Sequence, residues 1–235
     1  GRWGGGRSEV SSPGFFLSPR GRYDPYQELQ ATLAAFFEPA TPHSGQHPQC
    51  RFPARYAWLM KRLAFDPARL PAQPCERFNV WAAEVNPESA TLVFASAYLS
   101  NPSSMFGHTF LRFDQRRGSG EGPLLDYTLN FAAVTEQKSG IMYAVNGLSG
   151  LYPGRFSLQP YYMKIQEYTN IESRDLWEYQ LRLSTAALDR LVRHTWELGE
   201  ASFPYYFLNR NCSYQLLPLL EAAEPSLRLA PERPF

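Results

Sequence analysis

Two residues of this chain stand out for the chemistry they could do together: Cys212 in the phrase NRNCSYQLL and His108 in the phrase SMFGHTFLRF. A thiol becomes a strong nucleophile once it loses its proton, and a helix N-terminus favours that loss through its unpaired N–H groups and positive dipole end. Cys212 has such a setting. Asn211 is a favoured N-cap residue, and Tyr214, Leu216, Leu217, Leu219 and Leu220 give the following segment an apolar helical face that only Pro218 argues against. The imidazole that takes the proton must come from elsewhere in the chain. His108 suits best, because it opens a short, glycine-led segment in which His108, Phe110 and Arg112 face one side and Thr109, Leu111 and Phe113 the other.

The elements that must position this pair follow from periodicity and punctuation. Residues 1–22 are rich in Gly, Ser, Pro and Arg and read as a flexible arm. Helices are expected from Asp24 to Phe37, Ala54 to Phe65 and about Cys75 to Glu84, giving a helical part over 23–88. A catalytic α+β part over 89–235 then completes a single domain. It starts with TLVFASAYL from Thr91, a buried strand, and continues through a small-residue loop, Ser100 to Gly107, into the His108 strand. In the next strand, Leu124 to Phe131, Asp126, Thr128 and Asn130 form one polar face. A helix over Ser139 to Leu148, a Gly/Pro turn, an aromatic helix from Tyr161 to Tyr168 and a strand from Asp175 to Leu183 follow. Ser184 caps a helix to about Glu200 with Leu188, Leu191, Val192, Thr195 and Leu198 inward, and His194 falls on its solvated side. Phe203 to Leu208 is the last strand.

Composition bounds the class. The chain has 235 residues, 44% apolar and 15% aromatic, enough for one sizeable core. A net charge of +1, with no long block of one sign, gives no reason to expect a nucleic-acid partner. No apolar run approaches the roughly 20 residues of a membrane-spanning helix. The first residue is Gly1 rather than Met, so a secretory signal or anchor is expected to be removed or left out.

Three cysteines admit three readings. In an oxidising compartment Cys50 and Cys75 would close a loop worth roughly 3 kcal/mol, with Cys212 left free. His43, His47, Cys50 and Cys75 could hold zinc, although they match the paired spacings of structural zinc sites poorly. Two reduced thiols are the third reading. No cofactor is called for.

Histidine before cysteine reverses the order of ordinary papain-like proteases while keeping the same chemical pair, which a circular permutation explains. The phrases QCRFPARYAWL, LVFASAYLSNPSSMFGHTFLRF, RDLWEYQL and NRNCSYQLL, in that order, resemble the Lnb-type N-terminal periplasmic domain family of Gram-negative bacteria over roughly Tyr23 to the C-terminus. The resemblance implies an α+β, circularly permuted papain-like (NlpC-related) fold, similar to the lecithin retinol acyltransferase group. It pictures an antiparallel sheet packed with helices and extra helices at the N-terminus. It also implies that His108 and Cys212 are the catalytic pair, and a periplasmic location, which suits a disulfide between Cys50 and Cys75. Lnb itself moves an acyl chain from a lipid to the amino group of a lipoprotein. Family members often continue into further domains of membrane character, which this chain does not contain.

The expected activity is therefore cysteine-dependent acyl transfer from a lipid ester through a Cys212 thioester to an amine, with a phospholipid or lipoprotein as membrane-proximal partner. Asn130 is expected to orient the imidazole, with Asp126 as the alternative. Asn209, Asn211 and Tyr214 would support the helix start, and Ser103 and Ser104 could contact a head group, although turn and cap chemistry accounts for the asparagines and serines too. Tyr161, Tyr162, Tyr205, Tyr206 and Phe207 suit either an acyl-chain groove or the core. Arg112 and Lys164 suit either a phosphate or an ordinary surface role. Two other classes use the same residues: a thiol hydrolase of peptide, cell-wall amide or lipid ester bonds, which an open polar cleft would favour, and a non-catalytic binding module with an unreactive Cys212.

Overall fold

The computed structural model describes residues 6–39, 46–97, 107–116, 122–135, 141–171 and 174–229. The N-terminal part holds α1 (Pro25–Phe36), α2 (Pro48–Arg51), α3 (Pro53–Leu63) and α4 (Glu76–Val85). Prolines open three of these helices at the position where a missing N–H costs nothing, and Asp24 caps α1 by accepting from the amides of Tyr26 and Gln27 at 3.1 Å. Cys50 and Cys75 are joined in a disulfide that ties α2 to the start of α4. That pairing removes both thiolates from the zinc reading, and no cluster of metal-ligating side chains occurs among the described residues.

The remainder is an antiparallel sheet of six strands with helices on both faces, so the α+β class holds. In chain order they are β1 (Pro87–Ala95), β2 (His108–Gln115), β3 (Tyr127–Ala133), β4 (Tyr152–Pro160), β5 (Leu176–Leu181) and β6 (Ser202–Tyr205). Across the sheet they run β5-β1-β2-β3-β4-β6, which makes β2 and β3 the central pair. Leu111, Phe113, Leu129 and Phe131 point to one face and meet α7 (Thr185–Leu198) and α8 (Cys212–Ala223), forming the main core. Each such side chain contributes about 1.5–3 kcal/mol by leaving water. Val93, Ala95 and Phe110 point to the other face, where α6 (Tyr161–Ile165) and the wider turn that continues it bring Tyr161 and Tyr168.

Four expectations need correction. Residues 6–22 are not a free arm: Val10 is buried in the core, Ser11 donates its amide to Ser202 O at 2.7 Å, and Glu28 of α1 accepts from the amides of Leu17 and Ser18. The glycine- and proline-rich stretch before Tyr161 is strand β4, preceded by α5 (Ile141–Ser149). Pro153 lies opposite Pro204 of β6 and turns its backbone toward the β3 side just past the end of that strand, its carbonyl accepting from the Val134 amide at 2.8 Å, while Tyr152, Gly154 and Phe156 turn inward. The third strand starts at Tyr127, because Pro123–Leu125 forms a tight helical turn. The last strand stops at Tyr205, after which the chain turns through a bridge between Tyr206 and Arg210.

Candidate active site

β2 and α8 bring the pair together. Cys212 is the first residue of α8, which packs on β2 and β3, and His108 is the first residue of β2, paired with Ala95. Asn211 caps α8 with its side-chain oxygen on the Tyr214 amide at 3.4 Å, and its side-chain nitrogen donates to Phe207 O at 3.2 Å. Pro218 does not end the helix, which runs on to Ala223. Gly107 makes the turn into His108 with φ +87°, and a Cβ there would lie 2.5 Å from the Phe94 ring, so both backbone and space demand glycine.

Cys212 and His108 are both buried, and each shifts the titration of the other. His108 Nε2 also meets Asn130 Oδ1. A carbonyl oxygen only accepts, so Nε2 carries the proton and Nδ1 is left to face the thiol. The Thr109 amide donates to Cys212 Sγ at 3.4 Å, and Thr109 Oγ1 and Ser213 Oγ are 2.7 Å apart.

The electrostatics follow. Burial acts against charge at both groups, yet the imidazole, with bonds from Thr109 and Ser213, holds the Cys212 thiol down to about 7. Burial likewise opposes a charge on His108, and buried Lys164 adds to that, but Cys212 and the Asn130 bond prevail and raise its pKa. The two shifts have opposite senses, as a thiolate–imidazolium pair requires.

Asn130 thus lies against His108. Asp126 does not: it lies toward the far end of β2, accepting from the Gln115 amide at 3.0 Å with Arg112 nearby. Asn209 is exposed in the turn before α8, and Tyr214 donates to Glu9 at 3.1 Å, which ties the N-terminal segment to α8 rather than serving the thiol. Ser103 and Ser104 lie outside the described residues. Arg112 and Lys164 are buried rather than on the surface, and both are engaged: Arg112 with Asp114 at 2.7 Å and Glu178 at 2.8 Å, Lys164 with Glu167 at 2.7 Å. Tyr161, Tyr205 and Phe207 are core residues, while Tyr162 is exposed. His194 is half-buried rather than fully solvated: burial, with Arg190 and Arg55 beside it, lowers it to about 4, which leaves it neutral at pH 7.

Sequence reasoning offered Tyr205 only as groove or core and gave Tyr168 no place beside the thiol or the imidazole. Burial, followed by Cys212 and Tyr143, pushes the Tyr205 phenol up, so it stays protonated beside the thiol. Tyr168 sets its ring 5.8 Å from the His108 ring. Neither carried a signal in the sequence, since a tyrosine before a turn and one in a helix read equally well as core.

Comparison with known proteins divides the chain in two. Residues 77–235 match the model of the Lnb N-terminal periplasmic domain, and residues 2–62 match a domain of unknown function. The phrase QCRFPARYAWL therefore falls in the second model, so the Lnb-like part begins later than Tyr23. No curated protein and no solved structure gives a significant match.

Proposed function

The chain belongs to the Lnb N-terminal periplasmic domain family, and we propose that it is a periplasmic thiol acyltransferase that carries a fatty acyl chain from a lipid ester to an amine. The observation that carries this reading is the Cys212–His108–Asn130 arrangement, with the thiol lowered, the imidazole raised and the amide holding its far nitrogen. The chain order His108, Asn130, Cys212, on two adjacent antiparallel strands and a helix packed against them, supports reading the fold as a circularly permuted papain-like one.

In this mechanism His108 Nδ1 takes the Cys212 proton and the thiolate attacks the ester carbonyl carbon. Backbone N–H groups at the start of α8 are the donors that would stabilise the developing oxyanion. Collapse breaks the bond to the alcohol, which leaves with the proton from His108, and the thioester remains on Cys212. An amine then attacks the thioester, His108 accepts the amine proton, and collapse releases the amide and returns the thiolate, which His108 reprotonates.

A lipid donor suits the surface beside the site. The outer side of α5 exposes Ile141, Met142, Val145 and Leu148, and Leu151 and Leu208 are exposed nearby. Phe207, next to Leu208, donates its amide to Gly147 O of α5, so this aliphatic surface borders the turn that leads into Cys212.

Intact-protein mass spectrometry after incubation with diacyl phospholipid tests the reading. One fatty acyl adduct on the native chain, absent from Cys212→Ser and cleared by a lipopeptide amine, is expected. An adduct cleared only by water would make the protein a lipid hydrolase, and no adduct would move the function to amide hydrolysis or to binding alone.

A further inference from the structure

The end of β1 opposite His108 is held by a residue that the thiol chemistry does not use. Arg174, two residues before β5, is buried, and its guanidinium reaches two successive carbonyls: Nε donates to Ser96 O at 2.6 Å and Nη2 to Ala95 O at 3.1 Å. The planar fork of an arginine suits two acceptors at a fixed spacing, where a lysine offers one point charge. Backbone and hydroxyl groups complete the joint. The Ser96 amide donates to Asp175 O at 2.9 Å, and the Asp175 amide donates to Ser96 Oγ at 3.1 Å.

This joint touches the surroundings of His108 from two directions. Ala95 is the residue paired with His108 between β1 and β2, and its carbonyl oxygen lies 2.9 Å from where a Cβ on Gly107 would sit, so it bounds the turn that leads into the histidine. The Arg174 amide donates to Tyr168 O at 2.8 Å, and the guanidinium carbon lies 4.7 Å from the centroid of the Tyr168 ring. That ring is in turn 5.8 Å from the His108 ring and 5.9 Å from the Phe110 ring. One buried side chain thus fixes both the strand across from the imidazole and the aromatic ring beside it.

We propose that Arg174 is a positioning residue of the thiol site: by holding the Ala95 carbonyl and the Tyr168 ring, it keeps His108 where it can take the Cys212 proton. The inference rests on the Cys212–His108 chemistry proposed above. Such a pair works only while its geometry is held closely, and a displacement of about 1 Å can cost about 100-fold in rate. The charged and titratable groups that act on the imidazole are Cys212 from α8 and Lys164 from α6, with Asn130 of β3 bonded to it and Tyr168 beside it. Lys164 Nζ also donates to Tyr168 Oη at 3.3 Å. Arg174 acts by place rather than by charge, through the two carbonyls and the ring.

Alkylation of Cys212 by iodoacetamide across pH, in the full chain, tests this. Arg174→Met should slow alkylation at pH 7 about 10-fold and move its midpoint up from a native value near 7, because a displaced imidazole no longer supports the thiolate. Arg174→Lys should lose a similar amount, since the charge stays but one ammonium does not replace the fork. Tyr168→Leu leaves the carbonyl contacts in place and should also raise the midpoint. Combined with Arg174→Met, it should lose less than the product of the two single losses, because the arginine acts partly through that ring. Cys50→Ala with Cys75→Ala, whose loss lies in stability, should keep the native midpoint and so separates a displaced His108 from a loosened fold. An unshifted midpoint in Arg174→Met or in Tyr168→Leu, full reactivity in Arg174→Lys, or a full product in the double variant would each overturn the proposal. A native midpoint at the ordinary thiol value of 9.0 would instead sink the thiol chemistry itself, and this inference with it.

Discussion

His108 meets Asn130 through Nε2, which leaves Nδ1 as the ring nitrogen free to take the Cys212 proton. One side-chain amide on the neighbouring strand fixes both the tautomer and the direction of the base. A hydrogen bond to a charged imidazolium is worth about 1.5–3 kcal/mol, so Asn130→Ala should slow alkylation of Cys212 at neutral pH about 10–150-fold. Asn130→Asp keeps an acceptor at the same place and should retain most of the reactivity. Rates with iodoacetamide compare the three proteins; equal rates in all of them would show that the amide does not position the imidazole.

Gly107 should tolerate no side chain. Its positive φ, and a Phe94 ring only 2.5 Å from where a Cβ would sit, leave alanine strained twice, at a cost of about 1–3 kcal/mol. Because the next residue is His108, Gly107→Ala is expected to lower Cys212 reactivity more than its loss of melting temperature explains. Alkylation rate and calorimetry on the same sample check this.

Glu197 joins the N-terminal segment to α7 by capping α3, with Oε1 2.7 Å from the Ala54 amide and 2.9 Å from the Arg55 amide. Burial raises this carboxyl to about 7 despite those bonds and nearby Arg55. A raised folded pKa favours the protonated native state, so this group's contribution to stability is full below its ordinary pKa of 4.5 and is lost as pH rises through about 7. Glu197→Gln keeps the accepting oxygen and should flatten that slope, whereas Glu197→Ala removes the cap and should cost about 0.5–2 kcal/mol. Denaturant titrations across this pH range, read for native and variant proteins, decide.

The disulfide spans 25 residues of sequence, for which the chain-entropy relation gives about 3 kcal/mol. Cys50→Ala with Cys75→Ala should lower stability by that order and leave Cys212 alkylation unchanged, since Cys212 is the free thiol. Chemical denaturation together with a thiol count measures both.

The approach of Cys212 to His108 was legible because each member is announced locally: Asn211 marks a helix start, and Gly107 precedes an alternating strand. Asn130 was legible through the alternation Asp126, Thr128, Asn130, but its preference over Asp126 depended on which end of the strand approaches His108, a question of register. β4 was hidden because Pro153 and Gly154 are turn residues whose use in a strand depends on the partner opposite, Pro204. The docking of residues 6–22 was hidden for a related reason. Its anchors are backbone amides received by Glu28 and Ser202, and backbone donors leave no trace in composition.

The central claim is that His108 holds Cys212 as a thiolate at neutral pH. The pH dependence of Cys212 alkylation tests it most directly, in the native chain and in His108→Ala. A native midpoint near 7 is expected, well below the ordinary thiol value of 9.0, with the midpoint in His108→Ala moved above 9.0 because burial then acts with little to oppose it. Identical midpoints in the two proteins, or a native midpoint at the ordinary thiol value, would contradict the account.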